Sequence, residues 1–417
     1  MIDRRSALKF LGGAAVTTAL GDYSAWTTDH FEQKTQISSG IESIRSRYTI
    51  SREITNIENG YFGVMTDQIK SIYLNNITQV NTELSTFARL EFSSIFSDTY
   101  QNVRKYMELP ENSVVLTRNA TEALNIAIQG CPLQPGDEVV VSQLDYNSAL
   151  ACWQMLEKTK GIVLVKIQIP LHPQSTEEII ELYASALTEK TKVVLLTHVN
   201  HLTGLILPVK EIIARMPEHI TTILDAAHSF EHIPLSIADI NPDMAIINFH
   251  KWFGAPVGVG MLYVKPSKVR ELMPLYGSNN YDSDNILKLA NFGTLSFPTI
   301  MTLNRAVQLQ DKSEMPIKTN YLQQLKEAWM MPMRHNEKIE LLTPVDANWS
   351  RSIASFKIKG MESAKVQKKL LEKYRILIVT RKLNEQTILR VTPHWHNDFQ
   401  QMHSLVNALN EMTATVS

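Results

Sequence analysis

The chain has 417 residues, with 41 Lys and Arg against 42 Asp and Glu, so its formal net charge is −1. This balance, without a basic tract, argues against nucleic acid as a partner. The length is sufficient for one large and one small domain. The only cysteines, Cys131 and Cys152, form no C-x-x-C pair, so their spacing predicts no disulfide framework. No metal ligands are predicted.

The N-terminus contains a pair of arginines, Arg4 and Arg5, followed by an apolar residue and a small-residue stretch that runs to about Leu20. This pattern is typical of a bacterial twin-arginine export signal, although an ordinary basic N-terminus is the alternative. The stretch is too short and too weakly apolar for a transmembrane span. We therefore predict a signal segment at residues 1–28, an arm at 29–58, and export to the periplasm by the Tat translocase. Without an obvious Ala-x-Ala site, cleavage or retention stays open.

Beyond the arm, apolar strands alternate with helical stretches from about Asn59 to about Pro298. Such alternation predicts an α/β fold, with a mostly parallel sheet flanked by helices in a large domain over residues 59–298. Residues 299–417 are predicted to hold a connecting helix at about 300–311 and a small α+β domain. Its expected elements are a strand (352–358), a helix (363–374), two strands (375–379 and 388–394) and a helix (397–412).

The first candidate binding element is the strand, turn and helix of residues 114–124. Asn119 is the predicted N-cap, and Glu122 follows three residues later, a capping-box spacing. Ala120 and Thr121 then open a helix that is expected to end near Gly130. A helix N-terminus can hold a phosphate with its free N–H groups, and the Thr121 hydroxyl can add a donor. Any capped helix shares these features, so the motif alone does not identify a phosphate site.

The next two strands each lead to an aromatic side chain. Tyr146 follows the strand that begins at Glu138, and it can either stack on a flat ligand ring or simply pack at the strand end. His201 follows the strand that begins at Lys192, and it can either hydrogen-bond a ligand or serve a structural role. Both alternatives stay open for each residue.

Two later strands end in a carboxylate and a lysine. The apolar run 219–224 leads into Asp225, and the run 244–247 leads through Asn248 and His250 to Lys251. Pyridoxal 5′-phosphate (PLP) requires this pair, because a lysine amine condenses with its aldehyde and a carboxylate keeps its pyridine nitrogen protonated. The sequence therefore predicts PLP chemistry centred on Lys251 and Asp225.

With these motifs in order, the chain resembles the class V aminotransferases, a fold-type I group of PLP enzymes that includes cysteine desulfurases, kynureninase and isopenicillin N epimerase. The resemblance runs from about Asn59 to the C-terminus. The segments Asn59-Gly60-Tyr61-Phe62-Gly63 and His250-Lys251-Trp252 are nearer to the isopenicillin N epimerase-like branch. The resemblance implies a large domain with a mostly parallel sheet and a small C-terminal α+β domain.

The resemblance also implies roles for single residues. Lys251 would carry the cofactor, Asp225 would face the pyridine nitrogen, and His228 would face the phenolic oxygen. Tyr146 would stack on the ring, and Arg390 would bind the substrate α-carboxylate. Thr294, in the Asn-Phe-Gly-Thr stretch 291–294, would reach the phosphate of a neighbouring subunit, which implies an obligate homodimer. The phosphate-binding positions within the subunit would be Ala120, Thr121, Asn248 and His250.

The sequence departs from the desulfurases because residues 376–386, before the carboxylate arginine, contain no cysteine. A cysteine nucleophile is therefore not predicted. Transamination ranks first, because Lys251 alone can move both protons, followed by β-elimination in a C–S or β-lyase and then by epimerisation. Epimerisation needs a second acid, for which Tyr146 and His201 are candidates.

An exported enzyme of this kind suggests an amino-acid moiety of a secreted natural product as substrate. The non-enzymatic alternative is a PLP-binding regulatory protein. Retention of Lys251, Asp225 and Arg390 argues against it.

Overall fold

The computed structural model describes residues 40–291 and 293–414. The predicted signal segment and the first part of the arm lie outside the described residues, as does Phe292 of the Asn-Phe-Gly-Thr stretch. No helix within the described ranges combines the length and apolarity that a bilayer-spanning segment needs.

The first part of the chain contains the strands that form the central sheet. In chain order the elements are β1 (Thr55–Asn56), α1 (Asp67–Leu90), α2 (Phe92–Tyr106), β2 (Val114–Thr117), α3 (Ala120–Gly130), β3 (Glu138–Ser142), α4 (Asn147–Lys160), β4 (Val163–Ile167), α5 (Thr176–Ser185), β5 (Thr191–Thr197), α6 (Val209–Ala214), β6 (Thr221–Asp225), α7 (Ile237–Ile240), β7 (Met244–Asn248) and β8 (Gly260–Val264).

Seven of these described strands form one sheet in the order β2-β8-β7-β6-β5-β3-β4. Strand β8 runs antiparallel to β2 and β7, and the remaining neighbours are parallel. Side chains alternate between two apolar layers, so that Ile223 and Ile246 face one layer while Leu224 and Ile247 face the other. Continuous apolar runs such as β7, buried at every position, are typical of strands covered on both faces.

The second part of the chain forms a smaller unit with its own core. Its elements are α8 (Phe297–Leu309), α9 (Met315–Met333), β9 (Ile339–Leu341), β10 (Ala354–Ile358), α10 (Ser363–Tyr374), β11 (Ile376–Leu377), β12 (Val379–Leu383), β13 (Gln386–Val391) and α11 (Phe399–Ala414). Strands β12-β13-β10-β9 form an antiparallel sheet. Trp329 of α9 and Phe356 of β10 are fully buried in the core between this sheet and its helices.

The N-terminal segment crosses onto this smaller unit. Strand β1 pairs in parallel with β11, and Glu58 forms a bridge with Thr392. The backbone N–H of Asn59 donates to the Thr392 carbonyl at 3.1 Å. This pairing brings residues 55–59 next to β13, although they are far from it in sequence.

The predicted α/β architecture with a mostly parallel sheet is confirmed. The helix expected to end near Gly130 does so, and the helix at 363–374 has the predicted bounds. Several details differ. The connecting helix begins at Phe297, the strand predicted at 375–379 is divided between β11 and β12, and α9 and β9 were not predicted. The last strand and helix are also shifted, to Gln386–Val391 and Phe399–Ala414. The amphipathic signal of α9 is weak because Lys318, Gln323 and Lys326 lie on its buried face. The domain boundaries themselves stay predictions.

Candidate functional site

A cavity of about 700 Å³ lies at the carboxyl edge of the central sheet, where the ends of β5, β6 and β7 meet the N-terminus of α3. Open α/β sheets bind ligands at this edge. The cavity brings together ten of the predicted site residues: Ala120, Thr121, Tyr146, His201, Asp225, His228, Asn248, His250, Lys251 and Arg390. Thr294 is exposed and lies outside this lining, so a role at the phosphate of a neighbouring subunit stays a prediction.

Lys251 follows β7, and its amine points at the histidine that follows β6. Lys251 Nζ lies 3.0 Å from His228 Nε2. Burial lowers the pKa of Lys251 to about 8, because a charged ammonium loses hydration there, while the Asp225 carboxylate opposes the shift. Lys251 therefore holds a usable fraction of free amine near neutral pH, which nucleophilic and general-base roles both require.

The hydrogen bonds of His228 suit the neutral form of the Lys251 amine. Trp252 Nε1 donates to His228 Nδ1 at 3.4 Å, and burial holds the pKa of His228 well below its usual value. A neutral imidazole that accepts at Nδ1 carries its proton on Nε2. His228 Nε2 then donates to Lys251, whose amine must be neutral in order to accept.

Trp252 is itself held between two imidazole rings. His232 stacks on it with centroids 4.0 Å apart, and His394 lies parallel to it at 5.4 Å. His232 is fixed in turn, because its Nδ1 donates to the His228 carbonyl at 2.8 Å and its Nε2 accepts from Ser352 N–H at 3.1 Å. This packing restricts the position of His228 relative to Lys251.

Asp225 ends β6 and is buried. Its Oδ1 accepts from Ala227 N–H at 3.0 Å. Burial raises the pKa of Asp225, whereas the Ala227 hydrogen bond and Lys251 lower it. A buried carboxylate without a full counter-charge is suited to a cationic ligand group, such as a protonated pyridine nitrogen.

A second buried carboxylate, Asp145, lies near Asp225 and was not predicted from the sequence. Asp145 accepts from the Thr197 hydroxyl at 2.6 Å and from Ser142 N–H at 2.7 Å. Thr197 lies in register with Asp225 on the neighbouring strand and lines the cavity. Burial raises the pKa of Asp145 to about 7. Asp145 therefore positions Thr197 beside Asp225.

The opposite end of the cavity has the features of a phosphate cradle. Asn119 caps α3 as predicted, accepting from Glu122 N–H, and its helix presents its free N–H groups at Ala120 and Thr121. Asn248 Oδ1 is buried and without a hydrogen-bond partner among the described residues. An amide flip would turn this group into a donor for an anion. His250 is oriented by its Nδ1, which lies 3.1 Å from the Val259 carbonyl.

Tyr146 and His201 lie together on another wall of the cavity. Their rings meet edge to face, with centroids 5.2 Å apart at 90°. Burial lowers the pKa of His201 well below its usual value, and its Nδ1 has no partner among the described residues. His201 is therefore neutral at physiological pH. Stacking of Tyr146 on a cofactor ring stays a prediction.

Arg390 is buried in the cavity wall and is already paired. Its Nη2 donates to Glu58 Oε1 at 2.7 Å, and its Nη1 donates to the His201 carbonyl at 2.6 Å. Arg381 also approaches Glu58 Oε1, at 3.5 Å. Glu58 and Arg381 were not predicted from the sequence, because no local pattern indicates that Glu58 pairs with an arginine 332 residues away.

The Asn-Gly-Tyr-Phe-Gly stretch owes its glycines to close approaches. A Cβ at Gly60 would lie 2.7 Å from Arg390 Nη2, and a Cβ at Gly63 would overlap with the Lys251 carbonyl oxygen. Gly63 N–H also donates to the His250 carbonyl at 2.9 Å. These two glycines let the N-terminal segment close directly over the lysine and the arginine.

The two cysteines lie outside the cavity lining, and both are buried. Burial raises the pKa of Cys131 to about 12 and that of Cys152 to about 11. Both shifts favour the protonated thiol over the nucleophilic thiolate. This agrees with the prediction that no cysteine nucleophile operates here.

Comparison with known proteins gives consistent results. The family model described as Aminotransferase class-V matches residues 62–382. Isopenicillin N epimerase of Streptomyces clavuligerus is 21% identical over 390 residues, which cover 89% of this chain and 98% of that protein.

Two solved structures share the fold. The cysteine desulfurase CsdA of Escherichia coli superimposes with a TM-score of 0.78 at 17% identity, covering 90% of this chain and 99% of that one. A mutant of C-DES with glycine covalently linked to its PLP cofactor superimposes with a TM-score of 0.76 at 20% identity, covering 86% and 96%. The predicted fold-type I architecture is thereby confirmed.

Proposed function

Since the chain belongs to the aminotransferase class-V family, with PLP as its cofactor, we propose that it is an aminotransferase acting on the amino group of an amino acid or of an amino-acid moiety in a natural product. The observation that supports this most strongly is the buried Lys251 amine 3.0 Å from His228, in the same cavity as Asp225. When bound, PLP supplies an aldehyde for amines and a ring that accepts electrons.

Different residues of the chain would bind the phosphate, the ring and the substrate proton. The N-terminus of α3, with Thr121, would hold the phosphate, and Asn248 and His250 would complete its cradle. Asp225 would keep the pyridine nitrogen charged, while His228 Nε2–H would donate to the phenolic oxygen. Lys251, released by the substrate amine, would take the proton from the substrate Cα and return it at a neighbouring atom.

The choice of transamination rests on how many acids and bases the site offers. Lys251 can move both protons, because its pKa of about 8 lets it act first as base and then as acid. Epimerisation needs a second acid on the opposite face. His201 is a poor candidate, because burial holds its pKa well below the physiological range.

The test is to incubate the purified holoprotein with amino donors and to measure the cofactor after acid denaturation. We expect one equivalent of aminated cofactor and one of carbonyl product, reversed by an added 2-keto acid. Regenerated PLP with more than one equivalent of keto acid and a released leaving group would instead establish a lyase. Inversion of configuration at Cα, with solvent deuterium incorporated there and no carbonyl product, would establish an epimerase.

We also propose that the chain is exported and acts as a homodimer. Support for export is the Arg4-Arg5 pair, and a reporter fused to residues 1–28 should lose export when both arginines become lysine.

Support for the dimer is the exposed position of Thr294 outside the cavity. A mixture of Lys251→Ala and Thr294→Ala chains should then regain activity in hybrid dimers, whereas independent subunits would show none.

A further inference from the structure

The arginine in the wall of the main cavity, Arg390, is paired with a carboxylate that lines a second cavity. The side chain of Glu58 is 11% exposed, and its Oε1 lies 2.7 Å from Arg390 Nη2. Thr392 Oγ1 donates to the other oxygen, Oε2, at 3.2 Å. The bridge between Glu58 and Thr392 fixes the backbone of this glutamate, so the pairing is part of the fold.

This pairing changes what Arg390 can recognise. One end of its guanidinium binds Glu58, and Nη1 binds the His201 carbonyl. Nε is buried and has no partner among the described residues. A carboxylate arriving at this arginine would approach the Glu58 carboxylate, and Arg381, 3.5 Å from the same Oε1 and partly exposed, offsets only part of that like-charge repulsion. A neutral carbonyl oxygen meets no such repulsion and suits a remaining N–H donor.

The space around Glu58 also exceeds what a free amino acid needs. The main cavity, of about 700 Å³, would hold the cofactor together with the reacting residue of the substrate. A second cavity of about 390 Å³ is lined by Glu58 and Asn59, and it shares Phe62 with the first. Phe62 therefore lines both cavities, so the second one adjoins the first at this side chain.

We propose that Glu58 is a specificity-determining residue, which makes the site favour amines whose neighbouring carboxyl group is amidated, as in the N-terminal residue of a peptide, over free α-amino acids. The inference rests on the proposed amino-group chemistry and names its substrate class. Arg390 then binds the amide carbonyl of the substrate, and Glu58 excludes the free carboxylate.

The test compares matched pairs of probes on the holoprotein: L-alanine with L-alaninamide, and L-glutamate with its α-amide. Dissociation constants come from the absorbance change of the bound cofactor and from calorimetry, so that turnover is not required. The variants are Glu58→Gln, which removes the charge, and Glu58→Asp, which keeps it. Glu340→Gln is the matched control, because it removes the carboxylate of a surface ion pair between Glu340 of β9 and Lys357.

We expect the wild-type protein to bind the amides about tenfold or more tightly than the acids. Glu58→Gln should lower the acid-to-amide ratio of dissociation constants by about the same factor, while Glu58→Asp and Glu340→Gln leave it within about twofold. Comparing the acid-to-amide ratio of each variant with that of the wild-type protein cancels the difference in basicity between the two amines. Melting temperatures show whether each variant is folded.

Three results would overturn the proposal: a wild-type preference for the free acids, an unchanged ratio in folded Glu58→Gln, or no binding of any amide. Its failure is separable from that of the proposed transamination. Amide selectivity without aminated cofactor would refute transamination alone, whereas aminated cofactor formed preferentially from free acids would refute only the role of Glu58.

Discussion

The lowered pKa of Lys251 predicts how fast the cofactor loads at each pH. Loading requires the neutral amine, and the pKa of about 8 replaces the ordinary value of 10.5. At about pH 7, roughly a tenth of the amine is then neutral, against roughly one part in 3,000 for an ordinary lysine. The site should therefore load about 300-fold faster than an exposed lysine of equal reactivity.

The assay is stopped-flow mixing of apoprotein with excess PLP, following the visible absorbance band over a pH series. We expect the rate to rise with pH and to level off above about pH 8. Asp225→Asn should move the midpoint to lower pH, because the Asp225 carboxylate raises the pKa of Lys251. Lys251→Ala provides the background from surface lysines.

A midpoint near 10, or a rate that falls as pH rises, would refute the argument that burial lowers the pKa of Lys251. A shift of the Asp225→Asn midpoint to higher pH would refute the coupling between the two groups. An unaltered rate in Lys251→Ala would mean that another amine reacts.

Two further predictions concern packing and a second buried lysine. Gly63→Ala should lower both the free energy of unfolding, by about 1–3 kcal/mol, and the affinity for PLP, because its Cβ overlaps with a backbone carbonyl. Gly277→Ala, whose Cβ meets nothing within 4 Å, is the control for denaturation and PLP titration, and equal effects would contradict this reasoning. Lys326 is fully buried, its ammonium donates to Ser350, and burial lowers its pKa to about 8. In a Lys251→Ala background, Lys326 is protonated in the unfolded chain but largely neutral in the folded protein between about pH 8 and 10.5, so its own contribution to stability rises with pH there. The raised pKa values of Cys131 and Cys152 act in the opposite direction, so the prediction concerns the difference between this background and Lys326→Met, which should grow across that window. Urea unfolding across the pH range measures it, and a difference that stays constant would contradict the assignment.

The sequence was sufficient for the parts of the site that follow strand ends. Asp225 and Lys251 each terminate an apolar run, and parallel strands bring such residues to one edge, so their meeting could be predicted. The N-terminus of α3 could be predicted as well, because Asn119 and Glu122 form a local capping pattern, whereas its role at a phosphate stays a prediction.

Contacts between distant segments could not be predicted in this way. Glu58 meets Arg390 because β1 pairs with β11 and Glu58 itself forms a bridge with Thr392, and pairings this short leave no periodic signal. Helix α9 was missed because two lysines lie on its buried face. Lys318 lies over the Trp395 ring, and Lys326 donates to Ser350. Both are buried where the usual polarity pattern predicts exposure.

The most direct test of the central claim is to reduce the holoprotein with borohydride, digest it and locate the PLP adduct by mass spectrometry. We predict one adduct per chain, on the peptide that carries Lys251, and none in Lys251→Ala. An adduct on Lys326 or another lysine, or a protein that acquires none after incubation with PLP, would contradict the assignment of this cavity as the active site.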